Sequence, residues 1–229
     1  MLLKRNLQEE EYHGIHQRKN KKIMSYTYEQ IQYAVRSKGY KWFNDTAIKG
    51  YDVNIVGVRN SETNNRVTNR FDDHMTISYR DFDGDWKIGC YNCTTDPGTY
   101  WTENLMNSKG VAIVVPGQYR GSHKIGLHQG KYEALRQKKA ITVWRDANKD
   151  NTYDHIEENE EKGIFGINIH RATARINGES KRVDKWSAGC QVIAASEDFA
   201  HFMSIVNQAK VIHGNSFTYT LIESCDIKT

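Results

Sequence analysis

The chain has 229 residues, of which 38% are hydrophobic and 26% charged, and its formal net charge at pH 7 is +4. This length suits one domain with a full hydrophobic core. Basic residues are spread along the chain except at positions 18–22, so we expect no nucleic-acid partner. The sequence also predicts no integral membrane segment, because it contains no apolar run of spanning length.

Residues 1–24 are polar and charged where a signal peptide would need an apolar core. We therefore interpret them as a solvated tail and residues 25–229 as a single domain, and we expect synthesis in the cytoplasm. Met24 is an alternative start for the same domain.

A short amphipathic helix is predicted directly after the tail. Thr27 and Gln30 have the spacing of a capping box, and Gly39 provides a stop. The apolar residues between them recur at helical spacing, which predicts that one face of the helix is buried.

The rest of the chain is predicted to be mainly β with a few helices, as a sandwich or barrel. A second helix is expected from Ser196, as its cap, with an apolar stripe that includes Phe199, Phe202 and Val206. The predicted strands are residues 53–58, 75–79, 86–91, 111–115, 141–144, 164–170, 191–193 and 217–222.

Cys90 and Cys93 form a CxxC pair within a strand-like stretch. No second pair follows at the spacing of a zinc finger, and thioredoxins place this motif at the start of a helix. We therefore expect both cysteines to be packing residues.

An acidic loop between two predicted strands has the spacing of a calcium-binding loop. Oxygen-bearing side chains occupy its first, third, fifth, ninth and twelfth positions. They belong to Asp146, Asn148, Asp150, Asp154 and Glu157. The sequence predicts a structural Ca²⁺ site here, with a surface turn as the alternative, because a strand rather than a helix precedes the loop.

Two histidines, His123 and His128, are five residues apart in a glycine-rich stretch. That spacing puts them on opposite faces of a strand, which argues against a shared metal ion. We expect an exposed loop histidine as the common case, with a substrate contact for His128 as the alternative.

His170 and Cys190 carry the functional prediction. His170 ends an apolar run, and Cys190 follows the small residues Ser187, Ala188 and Gly189. A cysteine attacks carbonyl groups as the thiolate, so it needs a base such as His170. Small residues before the cysteine let the amides of Gly189 and Cys190 approach an oxyanion. The alternative is a buried structural cysteine near a strand histidine.

Ile169-His170 followed by Ser187-Ala188-Gly189-Cys190 resembles the signature of the L,D-transpeptidase catalytic domain. Residues 94–100 also resemble a turn that precedes the active-site strands of that family. The resemblance implies an L,D-transpeptidase-like β-sandwich or barrel, with Cys190 as nucleophile, His170 as base and the backbone at Gly189 and Cys190 as oxyanion site. It implies attack on a peptidoglycan stem peptide and requires no cofactor.

Two positions depart from the family motif. Ala188 stands where the family has a histidine, and Gln191 and Val192 stand where it has an arginine. The resemblance is therefore to a divergent branch, of a phage or Bacteroidetes type. Our candidates for substrate binding are His128, with Lys131 and Tyr132 beside it, together with Gln191 and Arg171.

Three hypotheses follow. The first is a cysteine acyl-transfer enzyme acting on stem peptides, as a transpeptidase, L,D-carboxypeptidase or endopeptidase. The second is a phage-type peptidoglycan hydrolase with the same thiol site, which would reach the wall by lysis or virion delivery. The third is a non-catalytic wall-binding or virion module. The oligomeric state is left open.

Overall fold

The computed structural model describes residues 26–44 and 50–228. The polar tail predicted for residues 1–24, and Met24 as a start, lie outside the described residues. The described chain is mainly β with three α-helices, as the sequence predicts.

The first helix, α1 (Tyr28–Ser37), begins and ends where the sequence predicts. Thr27 and Gln30 form the capping box, since the side chain of each accepts a hydrogen bond from the backbone amide of the other. Gly39 follows the helix with a φ of +74°, a conformation that glycine adopts without strain. The buried face of α1 packs in a small apolar cluster with Val56, Val58 and Ile222.

Eight strands close into a barrel in the order β1-β11-β5-β6-β9-β10-β3-β2. Most neighbours are antiparallel, but β1 with β11 and β9 with β10 are parallel. Their bounds are β1 (Asn54–Arg59), β2 (Asp73–Arg80), β3 (Trp86–Thr94), β5 (Gly117–His128), β6 (Tyr132–Gln137), β9 (Ile169–Arg171), β10 (Gln191–Ile193) and β11 (Phe217–Glu223).

A three-stranded sheet lies beside the barrel in the order β4-β7-β8. It consists of β4 (Val111–Val114), β7 (Ile141–Asp146) and β8 (Glu160–Gly163). The inward side chains Ala112, Val114, Ile141 and Val143 belong to the same hydrophobic core as the barrel. Ala112 of β4 also lies against Gly189, just before β10. The short helix α2 (Thr99–Glu103) precedes β4.

The long helix α3 (Ser196–His213) carries much of the core. Phe199, Phe202 and Val206 are buried at helical spacing, and Phe202 packs edge-on against Tyr91 of β3. Ser196 is the first helical residue and not the cap; its hydroxyl donates to the carbonyl of Arg175 instead. No helix within residues 26–44 and 50–228 is long and apolar enough to span a membrane.

Two parts of the chain differ from the sequence prediction. Residues 164–168 were predicted to be strand but form a loop, because Gly166 has a φ of +78° and breaks the extended run. Conversely, the glycine-rich stretch with His123 and His128 is part of the twelve-residue strand β5 and not an exposed loop. Both histidines are buried, at 0% and 9% exposure, because His123 packs edge-on against Tyr219 and His128 stacks on His170.

Phe202→Ala should lower the free energy of unfolding by about 3–5 kcal/mol, because Phe202 is completely buried and its removal leaves a cavity. Urea denaturation followed by circular dichroism measures this. Val211→Ala on the same helix is the control, since Val211 is 81% exposed and should change stability by less than about 0.5 kcal/mol. Equal effects of the two changes would contradict the packing described for α3.

Candidate active site

An open cavity of about 640 Å³ lies between the barrel and the three-stranded sheet, and Cys190 is part of its wall. Its apolar wall includes Trp101, Met106 and Phe165, and its polar wall includes His128 and Asn168. A cavity of this size takes a small molecule or a short stretch of polymer. Cys190 is the cysteine that the sequence predicts as nucleophile.

Strand register puts Cys190, which lines the cavity, and His170, which is buried and does not line it, on one face. In β9 and β10, His170 pairs with Val192, and the amide of Gln191 donates to the carbonyl of Asn168 at 2.9 Å. Paired residues of neighbouring strands point to the same side, and alternate residues point to opposite sides. Cys190 and His170 therefore share a face as diagonal neighbours, a spacing that a histidine ring and a thiol can span.

Ser187 holds the turn that presents Cys190. Its hydroxyl is fully buried, donates to the carbonyl of Cys190 at 2.7 Å and accepts from the amide of Gly189 at 3.1 Å. The carbonyl of Ser187 accepts from the amide of Gly98 at 2.8 Å. The turn at residues 94–100 thus directly contacts the turn at residues 187–190, here called the cysteine turn, and Ser187 holds Cys190 in place from inside the protein.

Position 189 requires a glycine, because there is no room for a side chain and the backbone has a positive φ. Its φ is +130°, and a Cβ atom there would lie 2.5 Å from the carbonyl oxygen of Ala112. Its amide does not fit the predicted oxyanion role, because that amide already donates to Ser187. The amide of Cys190 donates to no group among the described residues, so of the predicted pair it is the one still available to an oxyanion.

His170 is held as a neutral ring with one nitrogen available. Its Nδ1 donates to the carbonyl of Arg171 at 2.9 Å, which places the proton on Nδ1 and the lone pair on Nε2. Nε2 makes no hydrogen bond in the part of the chain that the structure describes. Burial lowers the pKa of the imidazole to about 4, and the neighbouring His128 lowers it as well. Nε2 is therefore an acceptor at neutral pH.

His128 lies against His170. The two rings are stacked with centroids 4.3 Å apart and an interplanar angle of 23°. Its Nδ1 is 3.5 Å from the side-chain nitrogen of Asn168, and burial lowers its pKa. Of the predicted substrate-binding residues, His128 is the one that lines the cavity.

The thiol of Cys190 is uncharged at rest. Burial raises its pKa to about 11, and the backbone at Asn168 offsets part of that rise. The thiol donates to the carbonyl of Gly166 at 3.3 Å. Its proton is thus directed at a backbone oxygen, and the side chain has to rotate before the proton passes to a base.

Gln137 holds the loop that carries the Gly166 carbonyl. Its side-chain oxygen accepts from the amides of Phe165 and Ile167, at 3.0 Å and 2.9 Å, and its amide group donates to the carbonyl of Gly163 at 2.9 Å. Three contacts from one buried side chain satisfy backbone groups that would otherwise form a strand. The loop shape at 164–168 depends on this glutamine.

Two other predicted substrate-binding residues do not line the cavity. Gln191 is completely buried; its side chain donates to the carbonyls of Thr95 and Gly189 and accepts from the hydroxyl of Tyr219. Arg171 lies over the ring of Tyr132, with its guanidinium carbon 4.2 Å from the ring centroid. Gln191 follows Cys190 and faces the opposite side of the strand. Its side chain therefore binds the cysteine turn from the side opposite to the thiol.

The CxxC cysteines are away from this site. Cys93 is completely buried in the core and Cys90 is half-buried; neither lines the cavity. Burial raises the pKa of Cys90 to about 11.

The acidic loop is closed by its own side chains. The amide group of Asn148 donates to Asp150 at 3.2 Å and to Asp154 at 3.0 Å, while Asp146 accepts from the backbone of Asn148. Glu157 begins a 3₁₀ turn and is exposed. Among the described residues, no three His, Cys, Asp or Glu side chains are grouped to hold a metal ion. Calcium binding by Asp146, Asn148, Asp150, Asp154 and Glu157 stays a prediction.

Sequence reasoning missed Arg136, Arg145 and the role of Asn168, all of which line the cavity. Asn168 stands two residues before His170 in the printed sequence, so strand alternation would have placed it on the same face. Arg136 could not be placed, because β6 was not predicted as a strand.

Comparison with protein-family models, curated proteins and solved structures finds no match to this chain.

The rate of alkylation of Cys190 by iodoacetamide should rise about tenfold per pH unit from pH 7 to 10, since burial raises the pKa of the thiol to about 11 and the thiolate is the reactive form. Mass spectrometry of the peptide containing Cys190 separates this reaction from that of the exposed Cys225. A plateau above pH 6 or 7 would instead indicate a resting thiolate and imidazolium pair.

Proposed function

We propose that this protein is a cysteine-dependent acyl-transfer enzyme that acts on peptidoglycan stem peptides. The observation that carries the proposal is the common face of β9 and β10, on which a cavity-lining thiol and a histidine with an available Nε2 are diagonal neighbours. A thiol nucleophile and a base at this spacing are the two groups that acyl transfer needs.

The reaction would start from two neutral groups. The thiol of Cys190 turns from the Gly166 carbonyl, its proton passes to Nε2 of His170, and the sulfur attacks the peptide carbonyl. The amide of Cys190 donates to the oxyanion that forms. Collapse of this intermediate breaks the C–N bond, and the imidazolium returns the proton to the departing amine. The thioester then passes the acyl group to an acceptor amine or to water.

The substrate class comes from the sequence motif. Ile169-His170 and Ser187-Ala188-Gly189-Cys190 resemble the L,D-transpeptidase signature, and the stem peptide with D-alanine as leaving group is what that resemblance implies. Three of these motif residues support the proposal by their contacts: Ser187 is buried and holds the cysteine turn, Gly189 has no room for a side chain, and His170 is bound to a carbonyl.

Cys190→Ala should abolish covalent acylation while leaving the fold intact, because the change removes the nucleophile but little volume. We expect the native protein to gain the mass of a carbapenem on Cys190, and the variant to gain none with an unchanged melting temperature. Cys225→Ala is the matched control and should acylate normally. An inert Cys190 would favour a non-catalytic module, and a large fall in melting temperature would favour a structural cysteine.

His170→Ala should lower the acylation rate by about 100-fold or more without weakening non-covalent binding, because it removes the base and not a binding contact. Stopped-flow measurement of the acylation rate against carbapenem concentration separates the two quantities. His128→Ala, the stacked neighbour, should instead weaken binding more than the maximal rate. The reverse pattern would assign the base to His128.

Product analysis on purified peptidoglycan distinguishes transfer from hydrolysis. New cross-links would show that an amine accepts the acyl group. Shortened stems without new cross-links would show that water does, as a phage-type hydrolase requires. Both outcomes proceed through the same thioester at Cys190 and differ only in whether an amine or water accepts the acyl group.

A further inference from the structure

The cavity at Cys190 is cationic. Two arginines, Arg136 and Arg145, line it, and none of the described residues that line it is acidic. A partly enclosed cavity with charges of one sign attracts ligands of the opposite sign. The two arginines differ in how far they are available to a ligand.

Arg145 is already bound within the protein. Its Nε donates to Glu161 at 2.8 Å, one of its terminal nitrogens donates to the carbonyl of Gly110, and its guanidinium lies over the ring of Phe165. These contacts hold its guanidinium in the wall of the cavity, where it shares the Glu161 carboxylate with Lys109. Arg145 is therefore a structural residue of the cavity.

Arg136 is exposed and makes no hydrogen bond or ion pair within residues 26–44 and 50–228. It lies close enough to His128 that its charge lowers the pKa of that ring. Its side chain runs across Gly126 of β5, where a Cβ atom would lie 3.3 Å from the Cδ of Arg136. The missing side chain at Gly126 leaves the space through which Arg136 follows the surface of β5.

The register places Arg136 in one row with the nucleophile. Leu135 pairs with Ile169, and the two strands are antiparallel. The residue after Leu135, Arg136, is therefore opposite the residue before Ile169, Asn168. Gln191 pairs with Ile169, so one residue earlier Cys190 is beside Asn168 on its other side. Arg136 and Cys190 are thus two strands apart on the same face, about 10 Å between backbones.

We propose that Arg136 is the substrate-binding residue that selects acyl donors with a carboxylate several bonds from the reacting carbonyl. Guanidinium groups bind carboxylates through two parallel hydrogen bonds, and an unpaired arginine at a cavity wall retains that capacity. This inference rests on the proposed acyl transfer at Cys190 and names its substrate class. Arg136 is not among the site residues that the sequence motif predicts.

The test uses haloacetyl probes that alkylate Cys190. Bromoacetyl-glycine, bromoacetyl-β-alanine and bromoacetyl-γ-aminobutyrate place a carboxylate at increasing distance from the reactive carbon, and their primary amides are the neutral counterparts. We measure the rate at the Cys190 peptide for each acid and its amide. We expect the native protein to prefer the acid for at least one chain length, by about threefold or more at low ionic strength, and to lose the preference in 0.5 M salt.

Arg136→Gln should bring the ratio of acid to amide rates to that of free cysteine. Arg136→Glu should favour the amides. Arg120→Gln is the matched control, because Arg120 is an exposed arginine on β5 that lies over Phe43 and does not line the cavity. It should keep the native ratio.

The outcomes separate the two proposals. If the amides alkylate Cys190 and the acid preference is the same in Arg136→Gln as in the native protein, the role of Arg136 is overturned and the proposed function stands. A native ratio equal to that of free cysteine at every chain length also overturns it. If neither acids nor amides reach Cys190, the thiol is inaccessible and the proposed acyl transfer fails with it.

Discussion

The parallel pairing of β9 with β10 is the constraint on which the candidate site depends. It is short, with three residue pairs, and it joins two segments that lie about twenty residues apart in the chain. Because side chains alternate along each strand, a shift of one residue in this register would turn Cys190 or His170 to the opposite face. The pairing is protected by its position inside a closed barrel, where both strands have further neighbours, β6 and β3.

Buried polar side chains hold that register in place. Gln191 connects the cysteine turn to Thr95 and to Tyr219 of β11, across the barrel. The hydroxyl of Thr95 accepts a hydrogen bond from Arg59, which pairs with Asp96. Thr95 also donates to Asp73 through both its backbone amide and its hydroxyl. Burial raises the pKa of Asp73 to about 6, with Arg59 opposing that rise. Such a network has a defined geometry because each lost hydrogen bond leaves a buried polar group unsatisfied.

The resting electrostatics of the site follow from burial. Desolvation disfavours charge on both His170 and Cys190, lowering one pKa and raising the other, so the pair is neutral across the physiological range. A neutral thiol is protected from indiscriminate alkylation and oxidation, since the thiolate is the reactive form. In the proposed reaction, charge develops only when a substrate occupies the cavity and brings its carbonyl to the sulfur. The unpaired Arg136 adds a positive potential that favours an anionic ligand there.

Local patterns predicted the parts of this protein whose causes are local. The capping box at Thr27 and Gln30, the apolar stripe of α3 and most of the strands follow from propensity and periodicity alone, and the mainly β fold class follows from them. Of the strand predicted over 164–170, residues 164–168 are a loop, because a distant side chain, Gln137, satisfies the loop backbone and Gly166 has a positive φ. The strands β5, β6 and β8 were missed because glycines and charged residues mask their alternation.

The sequence by itself therefore determined the fold class and the two residues, His170 and Cys190, that carry the chemical hypothesis. Only the tertiary structure decided what surrounds them. It gave Gly189 a steric role in place of an oxyanion amide, turned Gln191 into the barrel, brought His128 against His170 and put Arg136 in the same row as the cysteine. The reason is that each of these contacts joins strands far apart in the chain, and a single sequence carries no record of register between them.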